Sequence, residues 1–360
     1  MELYVFNRDI ELLGVIDNFT SLIWTRKFYK AGEFQLTLNA HYLPLLEQGN
    51  IICKKNYDEA GYIISRNITL TEEGDEVLTI KGKFMANYLS QRINWGIINF
   101  NGTVEDFIRK LVTDNCIAAS DPLRNIPKLE LAVKKDFTEK IRCQNSYGYL
   151  DDELTNIAEA YGISYKINLD CKNKKLIFEN YKGVNRTVSQ DSIAPCIFSR
   201  DFENVLSQEF TESKQDFKNV ALVAGEGEGT DRILVTINSA SGLDRYELFV
   251  DARDVRKDNY SNTLTDAEYK EVLATRGNNA LAECKEIKAF ESTINSNGNN
   301  EYKVDYDLGD SITITDKKWG LTINTTITEV QEVYENGYVS IIPTFGNNVP
   351  TIIDKLRKVR

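Results

Sequence analysis

Few side chains in this sequence have the chemistry of a nucleophile, a general base or a metal ligand. The chain has one histidine, His41, which follows a strand-like stretch and precedes a turn containing Pro44. Any Ser-His-Asp, Cys-His or histidine-rich zinc scheme would have to use it. No serine, cysteine or acid motif accompanies it, so we interpret His41 as an ordinary loop or interface histidine.

Acidic side chains are abundant, with 54 Asp and Glu residues, so clusters of acids arise without selection for catalysis. Glycosidases need two carboxylates at a defined separation across a cleft, which a sequence does not show. We predict that Asp151–Glu153 form a solvated helix face and that Glu226 and Glu228 belong to a loop. The glycines around those two glutamates do not predict a phosphate site, because the acids would repel phosphate and a strand follows. A flexible connection between two strands is the better interpretation.

Metal and sugar sites are also weakly indicated. Asp305, Asp307 and Asp310 lack the spacing of a calcium loop, and Asp310 is predicted to end a turn before a strand. No Cys-x-x-Cys or His-Glu-x-x-His motif is present. The three tryptophans, Trp24, Trp95 and Trp319, have faces on which sugars stack, but each lies in or beside a strand pattern, which favours core or interface packing. We therefore predict no enzyme activity, no metal and no cofactor.

Composition sets broad limits on the protein. With 360 residues and 42% hydrophobic content, two or three domains with packed cores are expected. The net charge of -11 argues against a surface that binds nucleic-acid phosphates. The six cysteines include no close pair, so we expect reduced, mostly buried thiols made in a cytoplasm. No apolar run reaches the roughly 18 residues of a membrane span, and the first residues do not resemble a signal peptide.

The first part of the chain consists of short strand patterns separated by turn residues, as in a small antiparallel barrel. We predict such a barrel over residues 1–95. The predicted strands are 3–6, 11–16, 21–28, 33–39, 50–54, 62–70 and 76–81.

Residues 96–200 have a mixed pattern that predicts a small α+β domain. One helix is expected to begin after Thr103 as N-cap, a second to span 149–161, and strands to follow at 163–169 and 175–180.

Residues 201–360 return to strands and predict a second barrel with a helical insertion over 265–290. Thr265 and Glu268 form a capping box. Gly277 and the two asparagines after it predict a break, followed by a second helical piece over 280–290. The predicted fold class is thus mainly β with an α+β insertion: two small antiparallel barrel-like domains, a mixed domain and a helical insertion.

Five phrases resemble one known family. They are Leu13-Gly-Val-Ile-Asp17, Tyr29-Lys-Ala-Gly-Glu-Phe-Gln-Leu-Thr-Leu38, Asn219-Val-Ala-Leu-Val-Ala-Gly-Glu-Gly-Glu-Gly229, Tyr306-Asp-Leu-Gly-Asp-Ser-Ile-Thr-Ile-Thr315, and the stretch from Thr322 to Gly346. Together they resemble the tail-hub, or baseplate hub, proteins of siphovirus tails and phage-tail-like bacteriocins. The resemblance covers most of the chain and is strongest at both ends.

The resemblance implies a homotrimeric ring at the tail tip, built in the bacterial cytoplasm. In such hubs two barrels per chain give six similar units, which match a sixfold tail tube or distal tail protein above and a threefold spike or fibre below. Larger relatives carry a fibre or hydrolase after the second barrel, so lytic or receptor-binding roles are expected to belong to another protein. Two alternatives stay open, a carbohydrate-binding receptor protein and a cell-wall hydrolase. Specific nucleic-acid binding and stable membrane insertion are not expected.

The C-terminal segment 352–360 differs from the acidic remainder of the chain. Its cations outnumber its single acid, and apolar residues recur at helical spacing. We predict that it docks on the trimer interface or on the spike. The residues expected at that interface are Ile353, Leu356, Arg357, Lys358 and Val359.

Overall fold

A computed structural model describes residues 1–259, 262–295, 298–335 and 337–346. Within these ranges strands dominate and three α-helices occur, which confirms the mainly β class with a mixed insertion. The predicted domain boundaries remain predictions.

The first 84 residues form seven strands, which confirms every strand predicted there. In β4 the side chains of Phe34, Leu36 and Leu38 are buried and alternate with more exposed neighbours, as one face of a sheet requires. The strands are β1 (Leu3–Phe6), β2 (Leu12–Ile16), β3 (Ser21–Lys27), β4 (Glu33–Asn39), β5 (Ile51–Lys54), β6 (Ala60–Leu70) and β7 (Glu76–Phe84).

The middle of the chain alternates strands and helices, as predicted. The Thr103 hydroxyl accepts a hydrogen bond from the Asp106 backbone N–H and caps the first helix. The second helix ends at Gly162, whose φ of 65° is a left-handed conformation that glycine adopts without cost. The elements are β8 (Ile97–Thr103), α1 (Val104–Val112), β9 (Leu129–Leu131), β10 (Lys140–Ser146), α2 (Leu150–Tyr161), β11 (Ser164–Asp170) and β12 (Lys175–Tyr181).

The last part of the chain contains most of the remaining strands and one long helix. The glycine-rich loop 225–231 connects two of these strands, as predicted. The elements are β13 (Ile197–Phe198), β14 (Val205–Ser213), β15 (Val220–Ala224), β16 (Leu234–Ile237), β17 (Glu247–Asp251), β18 (Asp258–Asn259), β19 (Asn262–Thr263), α3 (Asp266–Ala282), β20 (Ile287–Ile294), β21 (Ser311–Asp316), β22 (Leu321–Glu335) and β23 (Tyr338–Gly346).

Helix α3 corrects the predicted break at Gly277. Its capping box forms as predicted, but the helix runs without interruption to Ala282, and β20 begins at Ile287 within the predicted second helical piece. The reason is packing: a Cβ on Gly277 would lie 2.6 Å from Val223 Cγ2 and 2.7 Å from Ile237 Cγ1. The glycine lets α3 approach the sheet of β15 and β16, and that burial outweighs its poor helix propensity.

A single sheet joins the two ends of the chain. Its strand order is β14-β20-β23-β22-β3-β4-β7-β6-β5-β1-β2, with β21 and β13 branching from β22. The long strand β22 is the link, because Leu321–Thr326 pair with β21 while Glu329–Glu335 pair with β3. The N-terminal and C-terminal strands therefore form one continuous structure.

Each half of this sheet curls around its own core. The first core includes Leu3, Leu22, Trp24, Leu36 and Ile80, with Tyr334 of β22 packed against it. The second core gathers Phe198, Phe290, Ile312, Ile327 and Phe345. Backbone pairing does not close either curl among the described residues, so the predicted barrels are barrel-like and share β22.

Two further cores lie outside the barrel-like halves. One is formed by α1, α2 and β9–β12 and extends to β5 and β6. The other lies between α3 and the three-stranded sheet β16-β15-β17.

Candidate functional site

A buried site with several charged side chains lies where the curled sheet around the first core approaches β22. Strand order separates β5 from β22 by four strands, yet Lys54 of β5 and Glu332 of β22 form an ion pair and neither side chain is more than 1% exposed. The curl is therefore closed by side chains where the backbone is not paired. Glu332 also accepts hydrogen bonds from Tyr334 at 2.5 Å and Tyr302 at 3.1 Å.

A second cation and two more acids extend this site. Arg26 of β3 contacts Glu59 Oε1 at 2.6 Å through Nε, and pairs with Asp307 through Nη1. The same Nη1 donates to the Tyr302 hydroxyl at 2.8 Å. Lys303 lies 3.1 Å from Glu332 Oε1. We call the group Arg26, Lys54, Glu59, Tyr302, Lys303, Asp307, Glu332 and Tyr334 the seam cluster.

The seam cluster holds three cations against three carboxylates, so its charges balance. Burial by itself raises the pKa of Glu332, but Lys54, Lys303 and the hydrogen bonds outweigh it and bring the pKa to about 2. Burial also lowers the pKa of Lys54, against the attraction of Glu332. Because these cations and carboxylates are paired with one another, the arrangement fixes the geometry of the strands that carry them.

Sequence reasoning missed the seam cluster because its members are far apart in the chain. One local signal was present: Glu332 lies two residues after the buried Val330, hence on the same face of β22. A charged residue at an inward-facing strand position needs a buried partner.

The predicted loop histidine lies where expected. His41 is exposed in a single turn, Ala40–Tyr42, and its Nδ1 is 2.8 Å from Asn39 Oδ1. Nothing in its surroundings adds a nucleophile to it.

The acidic clusters separate into different environments. Asp152 is exposed as predicted, but Glu153 is half-buried, and burial raises the pKa of its carboxyl. The interpretation of 151–153 as a solvated face is therefore wrong for Glu153. Asp310 ends the predicted turn before β21, and its carboxylate accepts hydrogen bonds from the Val184 N–H at 2.7 Å and Arg186 Nε at 3.0 Å. Within the described residues, no group of three or more Asp, Glu, His or Cys is placed to hold a metal.

The tryptophans also differ among themselves. Trp24 is fully buried in the first core, as predicted. Trp95 and Trp319 are 56% and 43% exposed, so neither is a core residue, and the alternative of interface packing remains a prediction for them. Arginine guanidinium groups cover one face of each ring, with Arg124 at 4.6 Å from the Trp95 centroid and Arg200 at 5.2 Å from that of Trp319.

The cysteines are free thiols and four of the six are buried, as predicted. Cys53 and Cys171 line an open cleft of about 610 Å³ between β5 and the β11–β12 turn. A hydrogen bond between the two sulfurs, together with burial, raises the pKa of Cys53, and the same bond lowers the pKa of Cys171.

The sheet ends in open edges. In the described part of the chain β2 pairs only with β1, and β14 only with β20. Leu12, Leu13, Val15 and Leu206 are exposed on these two strands. Unpaired edges with apolar side chains are surfaces for pairing with another chain.

Two further points concern the helices and the C-terminal segment. None of the helices in the described ranges has the length and apolar content that a bilayer crossing requires. The predicted interface residues Ile353, Leu356, Arg357, Lys358 and Val359 lie outside the described residues.

Two barrel-like halves joined through one sheet form the fold of phage tail proteins. The chain is similar in structure to the tail protein from Neisseria meningitidis MC58, with 14% identity, a TM-score of 0.60 and 96% of each chain covered. It is also similar to the prophage MuSo2 43 kDa tail protein from Shewanella oneidensis, with 13% identity, a TM-score of 0.55 and 96% and 97% covered. The third similar structure is prophage tail protein gp18 from Listeria monocytogenes EGD-e, with 11% identity, a TM-score of 0.58 and 100% and 98% covered.

At these identities the similar structures establish the fold. The family follows from the sequence: the Siphovirus ReqiPepy6 Gp37-like protein family matches residues 2–347, and the chain belongs to it. Among curated proteins none matches the chain. The resemblance to a phage tail family is thus confirmed.

Proposed function

We propose that this protein is the hub of the tail tip, a homotrimeric ring that adapts a sixfold tail tube to a threefold spike or fibre. The observation that carries the proposal is the fusion of two barrel-like halves through β22. Three such chains place six barrel-like units in a ring. A sixfold tube or distal tail protein above and a threefold spike below each meet matching symmetry.

The rigidity of the seam supports this role. A hub between a tube and a spike has to hold its two barrel-like halves at a fixed angle while forces pass through it. Hydrogen bonding between β22 and β3 and the buried seam cluster fix that angle with directional contacts. Hinged domains would instead be joined by a small, polar interface.

In this proposal the protein acts by assembly and not by catalysis, at the tail tip of a virion or phage-tail-like particle. A neutral to acidic surface lets phosphate pass without strong contacts, consistent with the net charge of -11. The C-terminal segment 352–360, with its excess of cations on a chain of net charge -11, is proposed to contact the trimer interface or the spike.

Cryo-electron microscopy of the native particle tests the proposal directly. We expect three copies of the chain in one ring at the tip, with tube subunits above and a spike or fibre below. Six copies, or a position along the tube, would contradict the adaptor role. Incubation with host peptidoglycan should release no saccharide or peptide ends, and turnover that one Asp or Glu substitution abolishes would establish a hydrolase instead.

The carbohydrate-binding alternative has one specific observation to consider, the exposure of Trp95 and Trp319. Arg124 and Arg200 each occupy one face of these rings, leaving a single face for a sugar. Binding of the protein to purified host glycans, lost on Trp95→Ala or Trp319→Ala, would favour this alternative.

A further inference from the structure

An exposed aromatic surface lies in the middle part of the chain. It is built by the segment before β8, the segment between β10 and α2, and the turn Pro122–Arg124. Six of its side chains are apolar and more than 40% exposed, Leu123 reaching 91%. We call this surface the Trp95 patch: Ile93, Trp95, Ile97, Leu123, Tyr147 and Tyr149, with the guanidinium groups of Arg92 and Arg124.

The backbone beneath the Trp95 patch is held rigidly. Asn94 Nδ2 donates to Asn145 Oδ1 at 2.6 Å, and both side chains are buried. Asn115 Oδ1 accepts from the Trp95 N–H at 3.1 Å and from Arg124 Nη2 at 3.1 Å. Buried amides that satisfy one another in this way fix the loops that carry the exposed rings. The patch is therefore a prearranged surface, since its side chains stand on a fixed support.

The composition of the patch is that of a protein interface. Tryptophan, tyrosine and arginine are the residues that dominate binding energy in such interfaces. Arg92 and Arg124 form no ion pair with any described carboxylate, and both line a shallow depression of about 340 Å³ beside Trp95. On a chain of net charge -11, two unpaired guanidiniums in an apolar setting select an acidic and apolar partner.

The chain itself carries such a surface at the end of the β6–β7 hairpin. Beyond Ile63 the strand β6 pairs only with β7 in the described residues, and Ile64, Ile68 and Leu70 are exposed. The turn adds four acids, Glu72, Glu73, Asp75 and Glu76, none of which forms an ion pair in the described structure. The turn is ordered by backbone bonds between Thr71 and Asp75 at 2.9 Å and between Gly74 and Thr71 at 3.0 Å. We call residues 64–76 the hairpin tip.

We propose that the hairpin tip of one chain docks on the Trp95 patch of a second copy of this chain. A ring with threefold symmetry needs two different and complementary surfaces on every chain, because its interfaces join head to tail. The tip and the patch meet that requirement: each is apolar, and their net charges have opposite signs, because the tip holds four acids against Arg66 and the patch holds Arg92 and Arg124 beside one acid, Asp121. This inference rests on the proposed trimeric hub and identifies the contact that closes its ring.

Paired substitutions at Leu123 test the contact in the full-length chain. Leu123 is nearly fully exposed, so its replacement does not disturb a core. Leu123→Glu places a negative charge opposite the acidic tip, whereas Leu123→Lys is the matched control of equal polarity and favourable charge. Sedimentation velocity over a concentration series at low salt should show trimer formation weakened by about threefold or more for Leu123→Glu relative to Leu123→Lys.

A compensating change makes the test specific to the proposed partner. Glu73→Lys on the tip should restore trimer formation of Leu123→Glu, and the restoration should shrink at high salt because these charges are exposed. Asp191→Lys, an exposed acid outside the tip, should not restore it.

The possible failures are distinguishable from failure of the proposed function. A trimer unaffected by both Leu123→Glu and Glu73→Lys overturns this contact and leaves the hub intact. Leu123→Glu trimers that no longer enter particles assign the patch to another tail component and also overturn it. A wild-type chain that stays monomeric at every concentration shows that this contact alone does not form a trimer, which overturns the proposed contact. The number of copies in the particle tests the proposed hub separately.

Discussion

At the residue scale, the buried pair of Lys54 and Glu332 is the most consequential feature. The two residues are 278 positions apart in sequence, and their contact joins β5 to β22 across the open side of the first curl. The ammonium group also lies 5.1 Å from the centroid of the Trp24 ring and 4.8 Å from that of Tyr57. An intact buried ion pair contributes little net stability. Removing one partner is much more destabilising, because the remaining charge is buried without water or a counter-ion.

Breaking the pair from one side should therefore be severe. We expect Lys54→Met to lower the free energy of unfolding by about 3–5 kcal/mol, since Glu332 then keeps only Lys303 and the tyrosines. The double variant Lys54→Met/Glu332→Leu should recover most of that loss. Urea denaturation followed by circular dichroism measures both. The matched control is Lys55→Met on the exposed neighbour, which should leave stability nearly unchanged.

Acid should weaken the fold through Glu332. Its pKa falls from 4.5 in the unfolded chain to about 2 in the folded protein, so the unfolded state binds the proton more readily. The stabilisation is fully present above pH 4.5 and is lost as the pH falls towards 2. By linkage the contribution is about 3 kcal/mol.

Unfolding measured between pH 7 and pH 2.5 checks this contribution. We expect Glu332→Gln to have a flatter stability profile in that window than the wild type. The same substitution at Glu72, on the exposed hairpin turn, should keep the wild-type slope. Equal slopes for wild type and Glu332→Gln would show that other carboxylates cause the acid sensitivity.

At the element scale, the contact between α3 and its sheet depends on close approach. Gly277 lies in the middle of the helix, where alanine would normally be favoured by about 1 kcal/mol. Here a Cβ would meet Val223 and Ile237 at distances below 3 Å, so the helix could accept it only by moving away from β15 and β16.

The change in the free energy of unfolding caused by Gly277→Ala tests whether overpacking or helix propensity dominates at this position. We expect a loss of about 1–3 kcal/mol from overpacking, in place of the gain that propensity alone predicts. Asn278→Ala, at the next and exposed position of the same helix, should stabilise the protein by a few tenths of a kcal/mol. Thermal unfolding of both variants beside the wild type gives the comparison, and a stabilised Gly277→Ala would contradict the packing explanation.

Local patterns predict the elements well, and long-range pairing explains what they miss. Alternating residues such as Phe34, Leu36 and Leu38 predicted the first seven strands, and the hydroxyls of Thr103 and Thr265 predicted two helix starts. The sharing of β22 and the seam cluster were not predictable, because pairing partners about 300 residues apart leave no periodic signal. The prediction of a break at Gly277 was wrong for the same reason, since the sheet that packs on this glycine is distant in sequence.

At the scale of the whole molecule, the first barrel-like half is incomplete without the end of the chain. Strand β3 has β4 on one side and β22 on the other, and Tyr334 of β22 packs on the first core. The predicted domain 1–95 thus lacks one of its walls. Stability of the two halves should be coupled, since each loses buried surface when the other unfolds.

Residues 1–95 expressed alone should consequently not fold. We expect a fragment without a cooperative unfolding transition, because the β3 edge and Trp24 lose their cover. Fusing residues 327–346 to it through a Gly/Ser linker should restore a transition, measured by circular dichroism and by tryptophan fluorescence. A fusion with the same linker and residues 197–213 is the control, and a cooperative transition in the unfused fragment would contradict the prediction.

The pairing of β3 with β22 has a consequence for how the chain is made. About 300 residues separate the two strands, and at roughly 5–20 residues per second the ribosome needs on the order of 15–60 s to deliver the second. During that interval β3 presents an unpaired edge on the nascent chain, close to many identical chains from the same message. Productive synthesis therefore depends on keeping this edge from pairing with a neighbour, and chaperone supply during synthesis should set the yield of folded protein.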